Sequence, residues 1–254
     1  MMLGVSLEGW LALAALLLLG GGMGLAYLFF SAERLQGRLR PLSVFRRVEV
    51  GLALTMEEGR RLHYTLGRGE LLRPAGGTSW ASLSVMGPLV RSALRGDAPP
   101  LVSTGDPGVT ALAHPSLRRA CVQARAPEAY SPDGLLLAGM EPASYGAGAA
   151  LASQRGRQAL TLTIGHVGWE AALLTDAAPR VVGGTDHPVG QAVLLATGDD
   201  ALIGEEVYAA GAYTQAHPMH AAALWAQDAF RLLLIAGLLV AGVMAALARL
   251  AGLG

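Results

Sequence analysis

The sequence predicts an α/β protein: a Rossmann-like, doubly wound and mostly parallel sheet in a cytoplasmic domain, flanked by N- and C-terminal transmembrane helices. Three observations predict it. Two uncharged stretches, 9–32 and 232–248, lie near the two ends of the 254 residues. Between them, six short apolar runs each end at a glycine, usually with a polar or acidic residue close behind. Asp106-Pro107 and Glu141-Pro142 follow two of those runs, where a parallel sheet needs its helices to start.

The first apolar stretch predicts a transmembrane helix over 9–32, because Trp10 to Phe30 at 1.5 Å per residue spans about 30 Å, the thickness of the hydrocarbon layer. Trp10 at one end and Tyr27, Phe29 and Phe30 at the other suit interfacial aromatic belts. A cleaved signal peptide fits less well, since no Arg precedes the run and the apolar residues continue through Leu28. A basic juxtamembrane segment, 33–47, follows. Arg34, Arg38, Arg40, Arg46 and Arg47 stand there against Glu33 alone, which predicts that this side of the membrane is the cytoplasm and that both termini lie outside.

The cytoplasmic domain is expected over 48–217. A helix over 43–58, with Phe45, Val48, Leu52 and Met56 on one face, stops at Gly59. The expected strands are 62–66, 101–104, 135–138, 160–164, 180–182 and 193–197, closed by Gly67, Gly105, Gly139, Gly165, Gly183 and Gly198. Read as apolar without alternation, these runs suit strands buried on both faces. Helices are expected at 78–94, 107–124, 142–154, 168–177 and 199–213. Pro218 opens a last helix, 218–250, which enters a second span at about 230–250 between Arg231 and Arg249. Gly20 and Gly24, and in the second span Gly237, Ala241, Gly242 and Ala246, have the small-residue spacing that lets helices approach closely.

Composition narrows the chemistry. Only 15% of residues are charged, too few for an ordinary soluble chain of this size. All 19 basic residues are Arg, so P-loop and Schiff-base lysines are excluded. A single cysteine, Cys121, excludes intrachain disulfides and thiolate cages. No Gly-x-Gly-x-x-Gly follows the first strand, and no serine sits in a Gly-x-Ser-x-Gly elbow, so neither the dinucleotide fingerprint nor the hydrolase elbow is present. Residues 48–228 carry 12 Arg against 17 acids, so no nucleic-acid partner is expected. Asp199, Asp200, Glu205 and Glu206 are more simply the start of a helix than a magnesium site, and His217 with His220 lacks a third zinc ligand.

In a doubly wound sheet, ligands bind at the carboxyl ends of the strands, near the point where strand order reverses. The loops there would present Gly67, Thr104, Gly105, Asp106, Gly165, His166, Gly183, Thr185, Asp186 and Asp199. These are the ligand-site candidates. No metal ligand set or cofactor is identified.

Glu57-Glu58-Gly59-Arg60 leading to His63-Tyr64-Thr65-Leu66-Gly67, and the segment 202–213 before the C-terminal span, resemble an uncharacterised prokaryotic two-span membrane-protein family, a domain of unknown function. The resemblance implies architecture and no catalytic residue. The expected role is non-catalytic: ligand binding, sensing or scaffolding in a membrane assembly, as a homo-oligomer or complex subunit in contact with bilayer lipid. The alternative is a metal-assisted hydrolase or transferase acting on a phosphate-bearing or membrane-proximal substrate, using Asp106 and Asp199 with His166.

Overall fold

The structure, a computed structural model, describes residues 6–29, 32–37, 39–73, 76–155 and 157–250. Phe30 and Arg38, assigned above to an aromatic belt and a basic segment, lie outside the described residues. The chain forms two compact units, one from its two ends (1–39 and 217–254) and one from Arg40–Ala216.

The terminal unit contains α1 (Leu7–Phe29), a short α2 (Ala32–Gln36) and, from the far end of the chain, α10 (Pro218–Leu250). Both α1 and α10 are long and apolar enough to cross a membrane, and almost none of their apolar side chains is buried within the chain. They pack along a line of small residues. Ala26, Ala221 and Ala222 are fully or almost fully buried, and a Cβ at Gly22 would touch Ala226 at 3.6 Å. The glycines singled out by spacing are not on this line: Gly20, Gly24, Gly237 and Gly242 have nothing among the described residues within 4 Å of a Cβ position.

The central unit is α3 (Ser43–Glu57), β1 (Arg61–Gly67), α4 (Gly76–Ala93), β2 (Leu101–Thr104), α5 (Pro107–Gln123), β3 (Leu135–Leu137), α6 (Pro142–Arg155), β4 (Gln158–His166), α7 (Ala171–Ala177), β5 (Val181–Gly184), α8 (Pro188–Thr197), β6 (Asp200–Leu202) and α9 (Glu206–Tyr213). All strand pairs are parallel, in the order β3-β2-β1-β4-β5-β6. This is the doubly wound Rossmann-like order, and its switch point lies between β1 and β4. Val44, Val48 and Leu52 of α3 join α4, α5 and α9 in the larger core, while α6, α7 and α8 build a smaller one around Tyr145, Leu174 and Leu194. Phe45 packs on the larger core from a partly buried position and Met56 is exposed, so the buried face of α3 is rotated from the sequence reading.

Two expectations are corrected. The run 193–197 is helix, the second half of α8, and the sixth strand is Asp200–Leu202. Leu194 is fully buried and Leu195 is 53% exposed, as a one-sided helix face requires. The expected helix at 199–213 therefore shrinks to α9.

The second correction concerns the central strands, which are buried on both faces as expected but do alternate in polarity. Leu62, Tyr64 and Leu66, with Leu160, Leu162 and Ile164, enter the large apolar core. The intervening His63, Thr65, Thr161 and Thr163 are also buried, on the other face of the sheet. His63 bridges Ser153 and Ser103 through its two ring nitrogens, at 2.7 and 2.8 Å.

Candidate ligand site at the carboxyl ends of the strands

The switch point is built by close passage of β1 and β4. A Cβ at Gly67, which has φ +72°, would stand 2.6 Å from the His166 nitrogen, and one at Gly165 would strike the Leu66 carbonyl. Only glycine lets these two strand ends pass so closely. Gly67 donates its N–H to the Tyr145 hydroxyl at 3.1 Å and accepts one from Gly105 at 2.8 Å, which ties the end of β2 to the end of β1. Tyr145 also bonds the Thr65 hydroxyl. Burial pushes the Tyr145 phenol up to about 12, against hydrogen bonds from Thr65 and Gly67 that lower it, so it is neutral at physiological pH.

Several candidate residues serve the frame. The Thr104 hydroxyl accepts the Asp106 N–H at 3.0 Å, and the Asp106 carboxylate caps α5 by accepting from Val109 at 2.8 Å. Gly183 lies within β5, where Leu194 packs over it. Thr185, fully buried, accepts from Val167 and His187 and donates to the Val167 carbonyl, locking the loops after β4 and β5 together. Gly184 also belongs to β5, and at the start of α4 the Ser79 hydroxyl donates to the Gly69 carbonyl at 2.7 Å. Gly183, Gly184 and Ser79 therefore serve strand and helix-start geometry.

His166 and Asp186 do meet. His166 Nδ1 and an Asp186 oxygen are 2.8 Å apart, and the His187 ring stands edge-on to His166 with centroids 5.4 Å apart. Burial raises the Asp186 pKa, but hydrogen bonds from His166 and Thr78 and the His166 charge outweigh it and hold the carboxyl below its usual value.

Asp199 is elsewhere, because β6 begins after it. It lies at the amino end of the sheet, where its carboxylate accepts the Val181 N–H at 2.7 Å and starts β5. Asp106, Asp199 and His166 therefore form no common site. The neighbouring acids disperse too: Asp200 pairs with Arg47 at 3.1 Å and Glu206 with Arg40. Among the described residues, no three His, Cys, Asp or Glu side chains gather as a metal set.

Three residues of the crevice escaped sequence reading: Arg68, Glu170 and His187. Glu170 is fully buried, one oxygen held by Arg68 at 2.6 Å, while Oε2 has no hydrogen-bond partner. His187 Nδ1 is likewise buried without one. Gly168 lies beside both. A Cβ there would stand 2.9 Å from Glu170 Oε2 and 3.7 Å from His187 Cε1, so glycine is what lets the backbone pass this close to the carboxylate. Burial raises the Glu170 pKa, and the neighbouring Gly168 backbone N–H, which does not reach hydrogen-bond geometry at Oε2, more than offsets it together with Arg68 and holds the carboxyl below its usual value. Glu170 precedes α7, a position where an acid is commonplace in sequence, so no local pattern singles it out.

Residues 10–252 match the model of a family described as Domain of unknown function (DUF6754). The chain belongs to the DUF6754 family. No curated protein and no solved structure matches it. In this DUF6754 chain, the segments that carried the family resemblance are β1 with its lead-in and α9.

Proposed function

We propose that this DUF6754 protein is a membrane-anchored, non-catalytic ligand-binding component, taking a small polar molecule between Glu170, His187 and Arg68 at the switch point of its sheet. The observation that carries the reading is the pair of buried atoms without partners, Glu170 Oε2 and His187 Nδ1, on either side of Gly168. Buried polar groups are nearly always satisfied, and a ligand N–H or O–H would complete the carboxylate. The anchors are α1 and α10. The arginines after α1 favour a cytoplasmic domain with both termini outside. The open glycine faces of α1 and α10 favour assembly with further copies or other membrane subunits.

The test is a thermal-shift screen of detergent-purified full-length protein against sugars, amino acids, carboxylic acids and nucleotides. A true ligand at a hundred times its Kd stabilises by about 2.7 kcal/mol. Gly168→Ala presses a methyl group against Glu170 Oε2 and is expected to abolish the shift. A shift that survives this substitution places the ligand elsewhere, and turnover of the bound compound overturns the non-catalytic reading.

A further inference from the structure

The end of the sheet opposite the crevice gathers four arginines. Arg60 and Arg61 lead into β1, Arg155 closes α6 and Arg157 precedes β4. With Glu58, Gly59 and Ala98 they line a cavity of about 790 Å³. We propose that this cavity is a second binding site, for a small soluble polyanion carrying two linked phosphate-type groups.

The charge balance points there. Among the described residues Glu58 is the only acid in the lining, and it is shared between Arg60 at 3.1 Å and Arg180 at 3.3 Å. Arg61, Arg155 and Arg157 have no ion-pair partner among the described residues. Asp133 lines an adjoining cleft with Arg61 and Arg155 without pairing to either. Three guanidinium groups without an ion pair among the described residues thus line one open cavity of a domain whose overall charge is negative. A cleft lined by one sign of charge concentrates counter-ions.

The backbone fixes where one of these groups is presented. Arg157 has φ +52°, a left-handed conformation that glycine adopts freely and a side chain resists, and Arg125 and Gln215 share it just past α5 and α9. It is the turn that ends α6 and leads into β4.

The chemistry selects the ligand class. Guanidinium forks bind phosphate oxygens in pairs, and three or four of them suit several charges held close together. The lining has no aromatic or large apolar side chain on which a base could stack, so the charged group itself is read. Seven residues of β1 separate this site from the crevice, about 20 Å.

Isothermal titration of full-length protein in detergent with inorganic pyrophosphate, phosphate and ADP tests the proposal. Pyrophosphate should bind at least tenfold more tightly than phosphate, ADP should match pyrophosphate, and affinity should fall steeply with salt. Arg157→Gly, which relieves the backbone, should fold at least as well as the parent and weaken pyrophosphate binding severalfold; Arg155→Ala added to it should weaken binding at least tenfold. No pyrophosphate binding at millimolar concentration, or binding unchanged in both variants, overturns the proposal. ADP binding tenfold tighter than pyrophosphate would overturn the claim that charge alone is read. Gly168→Ala is expected to leave all of these titrations unchanged, so this site and the strand-end site stand or fall separately.

Discussion

His63 shows how one buried side chain sets the pH range of the fold. Burial lowers its pKa to about 4, so in the folded protein it stays neutral between Ser153 and Ser103, whereas in the unfolded chain it titrates near 6.5. The unfolded state therefore binds the extra proton first. This contribution to stability is complete above pH 6.5 and is lost as pH falls toward 4, at about 1.4 kcal/mol per pH unit. Unfolding followed from pH 7 to 4.5 should show that slope, and His63→Gln should remove it even if the variant is less stable throughout. Glycines give a second residue-scale prediction. Gly165→Ala drives a methyl group into the Leu66 carbonyl and should prevent folding or cost more than about 3 kcal/mol. Gly59→Ala, at φ +60° with nothing nearby, should cost only about 1 kcal/mol in chemical denaturation. Equal losses would mean that the strand ends shift to relieve the contact at Gly165.

At the scale of elements, most of the sheet was legible because its punctuation has local causes. Gly67 closes β1, Asp106 caps α5 with Pro107 behind it, and Pro142 opens α6; each acts within a few residues of its own position. Asp106→Ala should accordingly destabilise by about 1 kcal/mol, measured by denaturant midpoint, without changing any ligand shift. The sixth strand was misplaced because Asp200–Leu202 has three residues, too few for a period, and the apolar half of α8 looked more strand-like. Leu195→Glu distinguishes the two assignments. On the exposed side of a helix it should cost less than about 0.5 kcal/mol, whereas in a buried strand it would unfold the domain. The candidate site was legible only in part. The loops that carry His166 and Asp186 follow from topology, but Glu170 and Arg68 are joined by tertiary packing across 102 residues, which no local pattern records.

For the whole molecule, the neutral net charge conceals a division between the five arginines of 33–47 and the acidic stretch from 48 to 228. A reporter fused at the C-terminus should be active only outside the cytoplasm, and a cytoplasmic signal would reverse the proposed orientation. The pairing of α1 with α10 adds a constraint of another kind. Their numbers run in opposite directions, Gly22 beside Ala226 and the Tyr27 ring stacked 6.2 Å from that of His217. Asp228 and Arg231, themselves 3.8 Å apart, thus lie level with the middle of α1, while the uncharged part of α10 continues past the start of α1. A hydrocarbon slab about 30 Å thick cannot be centred on both helices. Thinning the slab draws fewer charged groups into it, and hydrophobic mismatch costs only fractions of a kcal/mol per Å. The protein should therefore be more stable in bilayers of short-chain lipids than in thick ones, and membrane thickness becomes a variable to which this helix pair responds.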